Sequence, residues 1–215
     1  MNQATRPPRP SAGRPTREQA ELRHEELLDR ALELFLEKGF ELVTMEAIAA
    51  AVGMTKRTVY ARYEDKAALF RAVVQRAIER WIVPIERLRE VETDDLEATL
   101  VAVAKIRLQN AISPVGVRLD RIVTAESFRF PEIFSLAYEE GSRPTIVYIA
   151  DLLRRHVAAG GIALQEPEIA AGAFLSMVVG GPRRAIQGGG MTDDRAIDAR
   201  IRFCVRLFLD GARPR

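Results

Sequence analysis

Apolar residues recur at steps of three and four along most of the chain. Over residues 17–38 the positions Leu28, Ala31, Leu32 and Phe35 are separated by glutamates and arginines, which predicts an amphipathic helix. Gly39 follows the basic Lys38 where a left-handed C-cap would sit, so the helix is expected to end there. Thr44 is placed to cap a short helix over 45–52, with Ile48 and Val52 one turn apart. Gly53 breaks that helix, and Thr55 caps a second short one from Lys56 to about Arg62. Glu64 and Asp65 interrupt. A longer helix is then expected from Lys66 through Leu69, Phe70, Val73, Val74 and Ile78 towards Trp81, bending at Pro84.

The rest of the chain has the same texture. Thr93 with Asp94 and Asp95 starts a helix reaching about Ile112, Ser113-Pro114 another to about Arg129, and Pro131 a short third ending at Gly141. A helix from about Pro144 stops at Gly160-Gly161, and two more are expected over 167–187 and 193–211. No stretch alternates with period two between hairpin turns, so the fold class is all-α. Residues 1–16 differ: Arg6, Arg9 and Arg14, with Arg17 just beyond, stand among prolines without an acid, which predicts a disordered basic arm. The expected domains are that arm, a small helix-turn-helix domain over 17–65 and a larger helical domain over 66–215.

Composition narrows the function classes. The chain has 215 residues, 47% hydrophobic and 29% charged, which suits a folded globular protein rather than a fibrous or disordered one. Its 32 basic and 30 acidic residues leave a formal charge of +2, so nucleic-acid binding must come from local charge placement. The single cysteine, Cys204, excludes an intrachain disulfide and a multi-cysteine metal site. It sits among Ile201, Val205 and Phe208, which favours burial over redox sensing. No secretory core or run of roughly 18 apolar residues is found, so a cytoplasmic protein without membrane contact is expected. His24 and His156 read as solvated, with no second ligand at metal spacing, and no nucleophile elbow supports an enzyme. Neither a metal nor a cofactor is expected.

Helix, glycine turn and helix is a geometry that presents one helix to the DNA major groove. Lys56 and Arg57 open the second helix, with Thr58 and Arg62 nearby, while Val59 is expected to face inward against Ile48 and Val52. Thr44 and Thr55, with the amides they cap, suit phosphate contacts; Tyr60 offers a hydroxyl, and Lys66 can reach a further phosphate. Charge alone leaves a solvated helix face equally open for Lys56 and Arg57.

The run TMEAIAAAVGMTKRTVYARYEDKAALF, residues 44–70, resembles the DNA-binding signature of TetR/AcrR-type regulators. It has a threonine before the second helix, an isoleucine-alanine pair, a glycine, a capping threonine, an aromatic ending the recognition helix and a lysine-led fourth helix. The segment RIVTAESFRFPEIF, residues 121–134, is similar to the AefR-like ligand domain of one branch of that family. The resemblance implies a homodimer whose subunits carry a three-helix DNA-binding head, joined by a long helix to a larger helical domain with a small-molecule pocket. By position it carries DNA contacts onto Thr44, Lys56, Thr58, Tyr60 and Lys66. Arg57 stands where many members have glycine and Arg62 where many have histidine, which bears on base preference rather than on binding.

Two further features bear on the larger domain. Ile169, Ala173 and Met177 stripe one late helix, with Gly172 and Gly180 allowing close approach; Ile197, Ile201, Cys204, Val205 and Phe208 stripe the last, and Phe203 and Leu207 widen its arc. So broad an arc suits a body on one side and a second subunit on the other, with one thick monomeric core as the alternative. Candidate pocket residues are Trp81, Gln109, Glu126 and Tyr148, although surface exposure is an alternative for each. The resulting expectation is a ligand-responsive regulator, a repressor that binds a palindromic double-stranded DNA operator as a dimer and is released by a small-molecule effector. An activator and a ligand-independent architectural DNA-binding protein are the alternatives.

Overall fold

The computed structural model describes residues 16–190 and 193–213. The basic arm expected around Arg6, Arg9 and Arg14 lies outside them. The chain divides into two compact units, Met1–Val73 and Val74–Arg215. All regular structure among the described residues is helical.

The first unit holds α1 (Arg17–Leu42), α2 (Met45–Ala51), α3 (Lys56–Tyr60) and the start of α4 (Lys66–Trp81). Thr16 opens α1 with a capping box: its hydroxyl accepts from Gln19 N at 3.2 Å, and Gln19 Oε1 accepts from Thr16 N at 3.1 Å. Gly39 has a positive φ, +75°, as expected, but its ψ of 172° is extended rather than left-handed helical, and the chain then winds one more turn to Leu42. Phe35, Phe40 and Phe70 form an aromatic cluster, with Phe70 edge-on to the other two at 5.0 and 5.1 Å between ring centres. Leu27, Ile48, Val59 and Leu69 are fully buried in the same unit. His24, expected to be solvated, instead lies 2.7 Å from the Tyr63 hydroxyl and stacks on its ring, tying α1 to the turn that follows α3.

The second unit contains the rest of α4, then α5 (Ile85–Arg89), α6 (Leu96–Ile112), α7 (Pro114–Ala125), α8 (Pro131–Leu136), α9 (Arg143–Ala158), α10 (Pro167–Leu175), α11 (Gly181–Gln187) and α12 (Asp194–Gly211). The α6 helix is central, packing on α7, α11 and α12, while α9 packs on α10 and α5. Leu100, Leu108, Ile149, Leu152, Phe174 and Val205 form the fully buried core.

Several boundaries differ from the sequence reading for identifiable reasons. Pro84 separates α4 from α5 rather than bending one helix, because its ring cannot continue the ladder. Asp95, not Thr93, caps α6, accepting from Ala98 N at 3.2 Å. The α7 helix stops at Ala125, and Phe130 N closes a turn onto Glu126 O at 2.9 Å before Pro131. The short helix expected from Pro131 to Gly141 and the long one expected over 167–187 are both modified by π-helical stretches, Ala137–Ser142 and Ser176–Gly180. Each ends two residues before a proline, Pro144 or Pro182, whose missing donor and bulky ring a widened turn accommodates. In each, a side chain from another helix takes one carbonyl: Arg107 Nη2 donates to Gly141 O at 3.0 Å, and Cys204 Sγ lies 3.9 Å from Met177 O.

Candidate functional site

In the first unit, two threonines set the geometry of the helix pair. Thr44 Oγ1 accepts from Ala47 N at 3.1 Å and starts α2; Thr55 Oγ1 accepts from Thr58 N at 3.1 Å and starts α3. Each such cap contributes about 1 kcal/mol. Between the helices Gly53, at φ +62°, makes the turn, and Met54 N closes it onto Ala49 O at 2.9 Å. Val59 is completely buried and anchors α3, leaving Thr55, Lys56, Arg57, Thr58 and Tyr60 exposed around it. The Thr55 and Thr58 hydroxyls also bond each other at 2.8 Å.

The charges here are partly engaged. Lys56 pairs with Glu46 of α2 and lies 5.5 Å from the Tyr60 ring centre. The bond to Glu46 lifts Lys56 above the ordinary ammonium range, and the bond from Lys56 holds Glu46 below the carboxylate range. Glu46 was not among the residues the sequence singled out; its first-turn place on α2 gives no hint of a partner ten residues on. Arg62 is exposed, with Nη2 3.5 Å from Ala20 O of α1.

Lys66 stands apart from the α3 group. Its ammonium donates to Phe40 O at 2.8 Å and Glu41 O at 3.2 Å, and lies 4.3 Å from the Phe40 ring centre. It therefore closes the C-terminal turn of α1 and retains one of its three donors. Lys66→Met is expected to lower the stability of this unit by about 1.5–3 kcal/mol, the value of hydrogen bonds to a charged group. Denaturant unfolding monitored by helical signal tests this; a midpoint equal to wild type would contradict the capping role.

In the second unit the four candidate pocket residues do not converge. Trp81 lines a cavity of about 320 Å³ together with Arg107, Leu119, Val123 and Phe134. Its indole N–H donates to Asn110 O at 3.2 Å, and Asn110 Nδ2 donates back to Trp81 O at 3.2 Å, so the ring faces the cavity with its donor already used. Gln109 is exposed in a separate, charged cleft of about 700 Å³ between α6 and α12. Glu126 ends α7 and its carbonyl closes the following turn.

Tyr148 belongs to a third place, a polar cleft with Glu92 and Arg155. Its hydroxyl donates to Glu92 Oε2 at 2.8 Å, and Arg155 Nη2 reaches the other oxygen at 2.7 Å. Burial first, and then the bond to Glu92, push the phenol up to about 12. Burial alone would raise Glu92, but the bonds from Tyr148 and Arg155 outweigh it and hold the carboxyl low. The Tyr148 contribution to stability is therefore complete below its ordinary value of 10.0 and lost as pH rises through about 12. That of Glu92 is present above its ordinary value and lost as pH falls through its depressed one. Phenolate absorbance should show a component near pH 12 that Tyr148→Phe removes; loss of a component near pH 10 instead would contradict the assignment.

Among the described residues, no group of three or more His, Cys, Asp or Glu could hold a metal ion, and no helix is long and apolar enough to cross a membrane.

Comparison with known proteins agrees with both units. Residues 27–73 match the family of bacterial regulatory proteins of the tetR type. Residues 98–211, just over half of the chain, match the C-terminal domain of AefR-like transcriptional repressors. The chain is 34% identical over 73 residues to the HTH-type transcriptional repressor ComR of Escherichia coli (strain K12), a match covering 34% of this chain and 35% of ComR. It is 23% identical over 199 residues to the HTH-type transcriptional regulator RutR of the same strain, covering 88% and 90%. Among solved structures, the flavonoid-responsive regulator FrrA superposes with a TM-score of 0.70 at 31% identity, covering 91% of this chain and 99% of that one. The capped helix pair thus falls within the tetR-type match and the helical body within the AefR-like one, and the chain belongs to the TetR family of bacterial transcriptional regulators.

Proposed function

We propose that the protein is a repressor that binds a palindromic operator as a homodimer and leaves it when a small effector binds the second unit. The observation that carries the reading is the exposed set Thr55, Lys56, Arg57, Thr58 and Tyr60 around the fully buried Val59. In this reading residues 17–65 bind DNA, and residues 66–215 hold the effector and the second subunit. Lys56 and Arg57 address base edges, Lys56 leaving Glu46 to do so. Thr44, Thr55, Thr58, Tyr60 and Arg62 address the phosphate backbone, and Lys66 offers its remaining donor.

Support for the homodimer comes from the outer faces of the late helices. Phe203 and Leu207, one turn apart on α12, are 53% and 54% exposed, and Ile169 on α10 is 66% exposed. Exposed apolar residues at this spacing suit a self-complementary interface, and a two-fold dimer matches a palindrome. Effector response is supported by the cavity lined by Trp81 and Arg107, and by the name of FrrA, a flavonoid-responsive relative. The α4 helix begins among the DNA-binding residues and ends at that cavity, so it is the physical link. Release requires the effector to prefer a state of the dimer that fits DNA poorly. The site of action is the cytoplasm, on the nucleoid.

The test is fluorescence anisotropy on fragments recovered from genomic DNA. Two chains per site and a preference over random DNA of roughly a thousandfold or more support the proposal. A steep salt dependence without sequence preference would replace it with architectural binding.

A further inference from the structure

Among the described residues of the second unit, two arginines keep buried N–H groups without a partner: Arg183 at Nε, although it pairs with Asp120, and Arg107, which has no counter-charge beside it. Arg107, on α6, is 6% exposed. Its Nη2 donates to Gly141 O, while Nε and Nη1 are buried with no hydrogen-bond partner. Burial alone pushes its pKa below the ordinary guanidinium range, yet a guanidinium remains charged at neutral pH. A buried cation without a counter-charge costs free energy, and such a cost persists where a ligand supplies the partner.

The surroundings specify that partner. Arg107 lines the cavity of about 320 Å³, at the small end of ligand-pocket sizes, roughly 300–1,000 Å³. The other charged residues on its wall, Asp120 and Arg183, pair with each other. Two arginines against one aspartate leave a single unbalanced positive charge, which suits a monoanion better than a phosphate dianion. Ile78, Leu119, Val123, Phe134 and the Trp81 ring make the remaining wall largely apolar. Both π-helical stretches border the same cavity, through Ala137, Tyr138 and Ser142 of one and Val179 of the other. Such turns recur at functional sites.

We infer that this cavity takes a small organic carboxylate with a ring-sized apolar body, its carboxylate accepting from the unsatisfied N–H groups of Arg107. The inference rests on the reading of this unit as effector-binding and adds the chemical class of the effector and the residue that recognises it.

The test uses the full chain and three matched pairs: benzoate, 3-phenylpropanoate and 1-naphthoate, each against its neutral amide. Calorimetric titration should give at least one carboxylate that binds roughly tenfold to a hundredfold more tightly than its amide. The same carboxylate should shift the Arg107 Nε–H resonance in ¹⁵N spectra. Arg107→Met should erase the preference without lowering the melting temperature, since it removes a buried unpaired charge, and Arg107→Lys should retain it in part. If Arg107→Met does not fold, the wild-type resonance shift decides alone. No carboxylate outbinding its amide, an unmoved Arg107 resonance, or a preference unchanged in Arg107→Met would each overturn the inference. Operator affinity is measured separately. A carboxylate that binds at Arg107 without weakening the operator complex would leave this inference standing and overturn effector release. A neutral compound that releases the operator while no carboxylate binds would do the reverse.

Discussion

Phe70→Ala is expected to unfold the first unit and abolish DNA binding while the second unit keeps its helices. Phe70 is completely buried on α4 and packs edge-on against Phe35 and Phe40. Truncating a buried phenylalanine costs about 3–5 kcal/mol, from lost burial and from the cavity left behind. A whole domain is stable by only about 5–15 kcal/mol, and a unit this small stands near the lower end. Thermal unfolding followed by helical signal should resolve an early loss matching the first unit. Operator affinity at 37 °C should fall by at least roughly a hundredfold, since about 1.4 kcal/mol corresponds to tenfold. Phe70→Leu, which refills most of the space, should recover binding. A Phe70→Ala protein that binds its operator like wild type would mean that the aromatic cluster does not hold the head together.

Reversing both charges at the start of α3, Lys56→Glu with Arg57→Glu, should have an effect of similar size on DNA binding by a different route. Both side chains are exposed and Val59 beneath them is untouched, so folding should be unchanged. Each lost contact costs about 1–3 kcal/mol, so affinity should fall roughly 10²- to 10⁴-fold, more for the operator than for random DNA. Glu46 sharpens the effect: it pairs with Lys56 in the free protein and would face a carboxylate in the double variant. Operator and random DNA titrated at several salt concentrations check this. An equal loss on both sequences would move Lys56 and Arg57 from base reading to backbone contact.

The head was legible because its signals are local. Thr44, Thr55 and Gly53 lie within a turn of the helix ends they define, and the structure uses all three as the spacing requires. Signals that needed a distant partner were not legible. His24 bonds Tyr63 39 residues away, and Lys66 reaches back 26 residues to Phe40 O, so neither role is written near its own residue. The π-helical stretches escaped because Pro144 reads as a helix start and the 167–187 pattern runs through Pro182 unmarked, whereas the chain widens its turn ahead of each proline and continues. Pocket residues sought as polar positions among apolar ones scattered to different clefts, and only Trp81 reached the small cavity. For Arg107 the sequence does carry a signal. The residue lies three and four residues from the buried Val103, Ala104 and Ala111, on the inward face of a central helix, where an arginine is costly. The near-neutral charge of +2 is likewise an average, with Lys56 and Arg57 exposed on the head and Arg107 enclosed in the body.

Two copies of this chain are expected to present α3 to successive major grooves of one palindrome. Hydroxyl-radical footprinting on a recovered genomic site tests it most directly. Two equivalent protected half-sites are expected, with centres about one helical turn, roughly 34–36 Å, or a multiple of it apart, both lost in the Lys56→Glu, Arg57→Glu variant. A single protected half-site, or uniform protection that the variant leaves in place, would contradict it.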